Sequence, residues 1–256
     1  MPCLVTLHVE RHGKGPDLAL LHGWGLHSGI WAEALPALAQ RFRVHAIDLP
    51  GHGHSASATV ESLDGAAELI AAQLPPATVV CGWSLGSLVA QRLAHLQPDK
   101  VRALVLVSAT PCFTARPGWP HAMKDGTLDA FAAGLDHDRE ATLARFVRLN
   151  ALHGAGGREA IRAFTQRLSE RGAPTVHALA RTLEWLRETD LRSGVQKLPR
   201  TLVIHGARDV LAPVAAGRWL AAHIPGAEAL ELADAAHLPF FTHRDAFVRA
   251  VESFVG

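Results

Sequence analysis

One serine stands in a sequence context that suits nucleophilic chemistry. It is the middle residue of Gly82-Trp83-Ser84-Leu85-Gly86, a G-x-S-x-G pentapeptide. An apolar run over residues 78–81 predicts a strand before it, and residues 85–96 predict a helix after it. So sharp a turn would present the Ser84 hydroxyl at the tip of a sheet, and the flanking glycines would prevent side-chain collisions. The Leu85 N–H would then lie at a helix N-terminus, where it can donate to an oxyanion.

A serine hydroxyl needs a general base, and that base needs an acid to orient it. We expect the acid and then the histidine just after two later strands. Asp209 follows a predicted strand at residues 201–204, and His237 follows another at residues 229–232. The sequence therefore predicts a triad of Ser84, His237 and Asp209. Because the chain contains 16 histidines, alternatives stay open. They are His205, His223 and His243 for the base and Asp234 for the acid.

The loop after another predicted strand offers a second oxyanion donor. Residues 18–21 predict a strand that continues into His22-Gly23-Trp24-Gly25. The two glycines permit a close approach of the backbone, so the Trp24 N–H is the expected donor. A packing role for the Trp24 ring would leave this backbone role open.

A further loop contains side chains of the types that ligate metal ions in other proteins. The segment Asp48-Leu49-Pro50-Gly51-His52-Gly53-His54-Ser55 holds two histidines and an aspartate. No other His/Asp cluster stands at metallohydrolase spacing, and a Gly/Pro loop after a strand explains the segment. We therefore expect neither a metal ion nor a cofactor.

A framework of alternating strands and helices must position these loops. Apolar runs predict strands at residues 4–9, 18–21, 44–47, 78–81, 103–107, 201–204 and 229–232. Amphipathic stretches predict helices near residues 31–40, 60–73, 85–96, 214–223 and 245–254. The alternation predicts an α/β fold with a mostly parallel central sheet flanked by helices. The turn at residues 12–17 favours an antiparallel hairpin of the first two strands at the sheet edge.

The alternation stops between about Pro111 and Asp190. No strand-like run occurs there, and Ala, Leu and Arg recur at helical spacing. We therefore expect a helical cap of residues 111–190, inserted into an α/β core of residues 1–110 and 191–256.

The composition argues against several classes of protein. Lys and Arg number 25 against 24 Asp and Glu, which argues against bulk nucleic-acid binding. There is no run of 18 apolar residues and no export-signal pattern at the N-terminus, so we expect no membrane span and a cytoplasmic location. Three cysteines are too few for a disulfide framework, and the absence of Tyr excludes the short-chain dehydrogenases. We expect a monomer.

Taken together, these motifs resemble the α/β-hydrolase superfamily along nearly the whole chain. Within it, residues 20–26, 82–86 and 111–120 are similar to the BioH family, the pimeloyl-acyl-carrier-protein methyl ester esterases of biotin synthesis. The resemblance implies hydrolysis of a methyl ester at the end of a seven-carbon diacid chain. Methanol and a free carboxylate would be the products.

The same resemblance implies a set of substrate-binding residues. Those matching the family's acyl channel are Phe146, Val147, Arg148, Leu149 and Asn150, where the family usually has Gln at the last position. Trp24, Leu26, Trp83, Ser84, Leu85 and His237 are expected to complete the site. The alternative for Phe146 and Leu149 is a core-facing helical stripe.

The predicted cap is also rich in arginine. Between Arg139 and Arg171 stand seven arginines and three acids, in a chain that is nearly neutral as a whole. Solvated helix faces are one explanation, and attraction of an acidic acyl carrier protein is the other. The resemblance favours the carrier and implies contacts from Arg145, Arg158 and Arg162. Ala141 stands where the family has a further arginine.

Other functions stay open from the residues alone. A generic short-acyl carboxylesterase or a carbon–carbon bond hydrolase would use the same triad. A catalytically silent binding module of this fold is disfavoured, because every expected catalytic group has a candidate. A dehalogenase is disfavoured because its elbow nucleophile would be an aspartate.

Overall fold

The backbone forms one sheet of seven strands. The computed structural model describes residues 6–256, apart from the side chain of Ser169. The strands are β1 (Val9–His12), β2 (Asp17–Leu21), β3 (Arg43–Ile47), β4 (Thr78–Trp83), β5 (Val101–Val107), β6 (Thr201–Gly206) and β7 (Glu228–Leu232). Their order in the sheet is β1-β3-β2-β4-β5-β6-β7. All neighbours pair in parallel except β1 and β3, which confirms the predicted mostly parallel sheet.

Helices connect the strands and cover the sheet. They are α1 (Leu35–Leu38), α2 (Leu63–Gln73), α3 (Leu85–Leu96), α4 (Thr127–His137), α5 (Arg139–Ala151), α6 (Gly157–Glu170), α7 (Val176–Glu188), α8 (Val214–His223), α9 (Pro239–Thr242) and α10 (Arg244–Val255). Helices α4 to α7 follow one another between β5 and β6, and α3 packs against α2, β4 and β5. None of the helices in residues 6–256 is long and apolar enough to cross a membrane.

The central strands are apolar because helices cover both faces of the sheet. Every residue of β4 is buried, and in β5 all but Arg102 are buried. Each fully buried Val or Leu side chain contributes about 1.5–3 kcal/mol to folding. The resulting rigid centre holds the loops that leave the carboxyl ends of β2, β4, β6 and β7.

The edge of the sheet differs from the prediction. Of the expected first strand, residues 4 and 5 lie outside the described residues, while Leu7 and His8 are not in a strand; β1 begins at Val9. The predicted hairpin of the first two strands is wrong, because β1 pairs antiparallel with β3, with Val9 opposite Ile47. Both edges of β2 are occupied by the parallel strands β3 and β4, so β1 cannot pair with β2 and instead pairs with the outer edge of β3.

Helix boundaries also differ where local chemistry overrides amphipathic spacing. In place of the helix expected at residues 31–40, the structure has a 3₁₀ turn at Ser28–Trp31 and the one-turn helix α1. Pro36 lies in the first turn of α1, where it has no N–H to continue a longer helix from upstream. Helix α2 begins at Leu63 because the Ser62 hydroxyl accepts the Gly65 N–H at 3.1 Å and caps the helix.

A buried carboxylate organises the Asp48-to-Ser55 loop. Asp48 accepts the backbone N–H groups of Ser28 at 2.6 Å and His54 at 2.8 Å. Arg171, which follows α6, places its Nη1 3.6 Å from Asp48 Oδ2 and its Nη2 2.6 Å from Glu10 Oε1. Burial raises the pKa of Asp48, but the neighbouring His22 and the donated hydrogen bonds lower it by more. This carboxylate therefore has a structural role, and residues 6–256 contain no cluster of three metal-ligating side chains.

Two buried imidazoles lie beside this carboxylate. His22 Nε2 accepts the Leu49 N–H at 2.9 Å, and its Nδ1–H donates to Gly23 O at 2.8 Å, so the ring is neutral. Burial lowers the pKa of His22 to about 3 and that of His52 to about 4. Both rings stay neutral in the folded protein over a pH range in which the unfolded chain binds protons.

We expect stability to fall on acidification through this pair. Below about pH 6.5 the unfolded chain protonates His22 and His52 while the folded chain does not, so the free energy of unfolding decreases down to the folded pKa values. Between pH 7 and pH 5 the loss should be roughly 2 kcal/mol per histidine. Urea denaturation at the two pH values measures it. On this acidification His52→Gln should lose less stability than wild type. His223→Gln, which replaces an exposed histidine, should lose as much as wild type. Equal losses in all three proteins would contradict a role for His52.

Candidate active site

Ser84 occupies a strained turn between β4 and α3. Strand β4 ends at Trp83 and α3 begins at Leu85, so one residue makes the whole turn. Its backbone has φ 55° and ψ −118°, a conformation that costs a non-glycine residue of the order of 1–3 kcal/mol. Its N–H donates to Val107 O at 3.0 Å, and the Ser87 hydroxyl donates to the Ser84 carbonyl at 2.6 Å. Neighbouring elements therefore hold the turn.

The glycines of the pentapeptide are required by close backbone contacts. A Cβ at Gly82 would lie 2.3 Å from Gly86 O, inside the turn itself. A Cβ at Gly86 would lie 2.4 Å from Leu21 O and 2.7 Å from His22 O, at the end of β2. The elbow is therefore pressed directly against the loop that carries Trp24.

His237 and Asp209 form a buried pair. The His237 Nδ1–H donates to Asp209 Oδ2 at 2.6 Å, across loops that follow β7 and β6. Asp209 Oδ1 accepts the N–H groups of Leu211 and Ala212, each at 2.9 Å. Burial raises the pKa of Asp209, but the facing imidazole of His237 and the other donors lower it well below its usual range. The acid is therefore ionised at neutral pH.

His237 packs against Trp83, the residue before Ser84. Its ring centroid lies 5.5 Å from that of Trp83, whose Nε1–H donates to His237 O at 2.8 Å. His237 Nε2 is buried and has no hydrogen-bond partner in residues 6–256. Because Nδ1 carries the proton, Nε2 holds a lone pair. This nitrogen can act as a base.

The alternative groups are placed elsewhere. His223 lies on α8 and bonds to Trp219 O at 2.8 Å, while His243 bonds to the exposed Asp234 at 2.8 Å. His205 differs from these, because its ring lies beside Asp209. Of these pairs, only His237 and Asp209 are joined by a short buried hydrogen bond next to the elbow, because the His243–Asp234 pair is exposed and His205 lies 3.5 Å from Asp209.

Two backbone N–H groups are available at the elbow. Trp24 and Leu85 are buried, and neither backbone N–H donates a hydrogen bond within the described part of the chain. The Trp24 ring is held by its Nε1–H, which donates to Leu179 O at 3.0 Å. Unpaired buried N–H groups are rare and therefore point to a ligand that accepts from them.

Apolar side chains surround these groups. The Trp24 ring meets the Phe146 ring edge-on at 5.0 Å between centroids, so α5 covers the loop after β2. Leu26, Trp83 and Val147 are also fully buried, and Leu149 is half-buried. These side chains form an apolar covering over the elbow.

The two polar residues of the predicted channel lie on opposite sides of α5. Asn150 is buried: its Nδ2 donates to Phe146 O at 2.6 Å, and its backbone carbonyl accepts the His237 N–H at 3.1 Å. Arg148 does not join the buried set, since its side chain is exposed and lines a surface cavity with Leu152 and Arg158. Residues on opposite sides of α5 therefore face protein and solvent.

The predicted carrier-binding arginines are exposed. Arg145, Arg158 and Arg162 make no ion pair with any described residue. Arg167 and Arg171 are different, because they pair with acids of the core and of α6. The basic stretch therefore divides into structural arginines and free ones.

Sequence reasoning missed the groups that hold the acid. The N–H donors at Leu211 and Ala212 carry no side-chain signal, so no motif could reveal them. The contact of His205 with Asp209 had a weak signal, its place at the end of a strand just before the acid.

The elbow and sheet order agree with a known family. Residues 18–244 match the family model described as the alpha/beta hydrolase fold, and the chain belongs to that family. A solved esterase, EaEST from Exiguobacterium antarcticum, superimposes with a TM-score of 0.87 at 24% identity, covering 97% of this chain and 95% of that one. That likeness shows the same fold.

Curated relatives extend the likeness to nearly the full length. The pimeloyl-[acyl-carrier protein] methyl ester esterase of Nitrosomonas europaea is 40% identical, covering 98% of this chain and 100% of its own. The enzyme of the same name from Stenotrophomonas maltophilia is 43% identical over 97% of this chain and 96% of its own. These matches confirm the resemblance to the methyl ester esterases.

A methyl group at Gly86 should distort the elbow. Because the close atoms are backbone carbonyls of β2 and its loop, Gly86→Ala should lower the free energy of unfolding by about 1–3 kcal/mol. Gly65→Ala in α2 is the matched control, because the added Cβ would make only ordinary van der Waals contacts. This substitution should raise the free energy of unfolding by about 0.5–1 kcal/mol. Thermal unfolding by circular dichroism compares them. A Gly86→Ala protein as stable as wild type would refute the tight contact.

Proposed function

We propose that this chain is a serine carboxylesterase that removes the methyl ester from pimeloyl-acyl-carrier-protein methyl ester, in biotin synthesis. One observation carries the reaction class: the buried His237–Asp209 pair adjoins the strained Ser84 elbow. The substrate is carried over from full-length relatives such as the Nitrosomonas europaea protein, which is named for this reaction.

The first step is the formation of an acyl-enzyme. His237 Nε2 takes the proton of the Ser84 hydroxyl as the oxygen attacks the ester carbonyl. Asp209 keeps the imidazole in the tautomer with Nδ1–H and stabilises the imidazolium that forms. The unpaired N–H groups of Trp24 and Leu85 donate to the carbonyl oxygen as it gains negative charge.

Departure of methanol completes the acyl-enzyme, and a second step with water then releases the acid. The imidazolium gives its proton to the departing methoxy oxygen, so methanol leaves and the acyl chain stays on Ser84. Water then gives a proton to His237 and attacks the same carbonyl. As this second intermediate collapses, the His237 imidazolium returns its proton to the Ser84 oxygen, which restores the hydroxyl and frees the carboxylic acid product.

Residues 111–190 act in this proposal as a cap over a core of residues 1–110 and 191–256. Helix α5 supplies Phe146, Val147, Leu149 and Asn150 to the acyl chain from its buried side. Leu152, which is 40% exposed, lies between open cavities of about 650 and 440 Å³. Arginines border both cavities, so an apolar chain and an acidic carrier could meet the cap at one place.

Arg145, Arg158 and Arg162 form the proposed docking face for the carrier. These three arginines make no ion pair with a described residue. Arg148 matches the family's channel stretch, but it is exposed as they are. Attraction between this face and an acidic helical carrier would orient the ester toward the cap. We further propose that the protein works as a cytoplasmic monomer that meets one carrier at a time.

The catalytic roles predict large losses of turnover. Ser84→Ala removes the nucleophile and His237→Ala removes the base, so each should lower kcat by roughly three powers of ten or more. His223→Ala is the control, because its ring lies on α8 away from the pair. Hydrolysis of a p-nitrophenyl ester measures all three variants. Near-normal turnover in either Ser84→Ala or His237→Ala would refute the mechanism.

The docking face predicts a loss that is specific to the carrier. Arg158→Glu/Arg162→Glu should lower kcat/KM on pimeloyl-carrier methyl ester by roughly tenfold or more, because the reversed charges repel an acidic partner. Its kcat/KM on free dimethyl pimelate should not change. Arg41→Glu/Arg102→Glu is the matched control, since both side chains are exposed near the amino ends of β3 and β5, where they make no ion pair with a described residue.

The two substrates separate this function from its rival. A wild-type preference for the carrier-bound ester that only the Arg158→Glu/Arg162→Glu variant loses supports the proposed substrate and docking face. Equal reaction with both esters, unchanged by either reversal, would identify a generic short-acyl esterase whose cap arginines are a solvated surface.

A further inference from the structure

A second imidazole meets the Asp209 carboxylate from the side of β6. His205, one residue before the end of that strand, is 2% exposed. Its Nε2 lies 2.8 Å from Ala212 O and 3.5 Å from Asp209 Oδ2. The same Oδ2 accepts the His237 Nδ1–H at 2.6 Å. His205, on β6, and His237, on the loop after β7, therefore face the same carboxylate oxygen.

The surroundings decide which nitrogen of His205 carries the proton. Ala212 O and Asp209 Oδ2 are both acceptors, so Nε2 must carry hydrogen; a lone pair there would face two others. His205 Nδ1 is buried and has no partner among the described residues. A Cβ at Gly217 of α8 would lie 2.4 Å from it, so that side is closely packed. A proton on Nδ1 would be buried without an acceptor, which is unfavourable.

An unpaired buried nitrogen lowers stability. The structure tolerates this cost at His205 while its other nitrogen bridges the acid and the turn that follows it. Oδ1 of Asp209 is already held by two backbone N–H groups, so the orientation of Oδ2 depends on the two imidazoles.

We propose that His205 is a positioning residue for the esterase reaction: its Nε2–H, shared between Ala212 O and Asp209 Oδ2, keeps the carboxylate aligned with His237 Nδ1. The inference rests on the proposed roles of His237 and Ser84. His205 touches neither the substrate nor the reacting atoms, and it acts through the acid alone.

The proposal has an electrostatic consequence. A neutral N–H beside Oδ2 draws on the negative charge that would otherwise act on His237 alone. Its removal should strengthen the hold of Asp209 on the imidazolium, so the acid limb of the pH–rate profile should move to higher pH. The other charged groups near His205 are Glu231, its register partner on β7, and Arg218 of α8. They bond to each other at 2.6 and 2.7 Å and so form a compensated pair.

The chain contains a matched control for His205. His45, on β3, is also 2% exposed and also has a buried Nδ1 without a partner among the described residues. Its Nε2 lies 2.7 Å from Asp17 Oδ1. Asp17 begins β2, so this contact lies toward the amino ends of the strands, whereas Ser84 lies at their carboxyl ends. Replacing His45 therefore removes a buried strand imidazole with the same local features and leaves the acid untouched.

The test compares three variants: His205→Met, His205→Gln and His45→Met. Gln keeps an N–H near the position of Nε2, whereas Met fills similar space without a donor. We expect His205→Met to slow labelling of Ser84 by a fluorophosphonate at pH 7 by roughly tenfold and to raise the acid limb by about half a pH unit. His205→Gln should be much closer to wild type, and His45→Met should keep the wild-type profile.

A spectroscopic measurement is independent of turnover. In Ser84→Ala protein, the low-field proton resonance of the His237–Asp209 bond should move when His205→Met is added, and should stay when His45→Met is added. If His205→Met changes thermal stability but neither the profile nor the resonance, His205 is an ordinary core residue and the inference is wrong.

Nitrogen-15 NMR of the wild-type protein gives a test that needs no substitution. The inference requires the Nε2–H tautomer of neutral His205, and the Nδ1–H tautomer would overturn it even if His205→Met failed to fold. A wild-type protein whose Ser84 did not react with the fluorophosphonate would instead refute the proposed function.

Discussion

The backbone of Ser84 must hold a positive-φ conformation that residues other than glycine rarely adopt. The geometry of the site depends on how this conformation is held. Strand β4 and helix α3 leave one residue for the turn, so the hydroxyl projects beyond the sheet. The strain is sustained because Gly82 and Gly86 allow the turn to close against the end of β2. That contact also brings the loop with Trp24 next to the serine. Ser84 and the loop that carries Trp24 are therefore positioned by the same close packing.

Parallel pairing brings the remaining groups to the same edge. Loops after β6 and β7 carry Asp209 and His237, and their pairing fixes the two side chains at 2.6 Å. Burial by itself would disfavour a charged carboxylate, yet four donors surround this one: two backbone N–H groups and two imidazoles. Asp209 is thus stabilised as an anion without a salt bridge to an Arg or Lys among the described residues. Such an environment lets small changes in one donor affect the base on the other side.

The arginines of residues 139–171 serve two physical purposes. Arg171 is largely buried between Asp48 and Glu10, and Arg167 pairs with Glu33, so the end of α6 is fastened to the core. Arg145, Arg158 and Arg162 are exposed and make no ion pair with a described residue, so their charge extends outward. The structural pairs hold the helical segment against the core, and the exposed arginines leave a positive charge on its surface.

The sequence by itself determined the strands of the sheet interior, the elbow, the contact of His237 with Asp209 and the family, because these depend on short apolar runs and on the order of a few residue types along the chain. Tertiary structure decided what depends on partners distant in sequence. Pairing of β1 with β3 followed from which sheet edge was free, and the helix predicted at residues 31–40 was interrupted at Pro36. Likewise, only the fold placed His205 on Asp209 and separated paired from free arginines, since a contact through space leaves no spacing rule in the sequence.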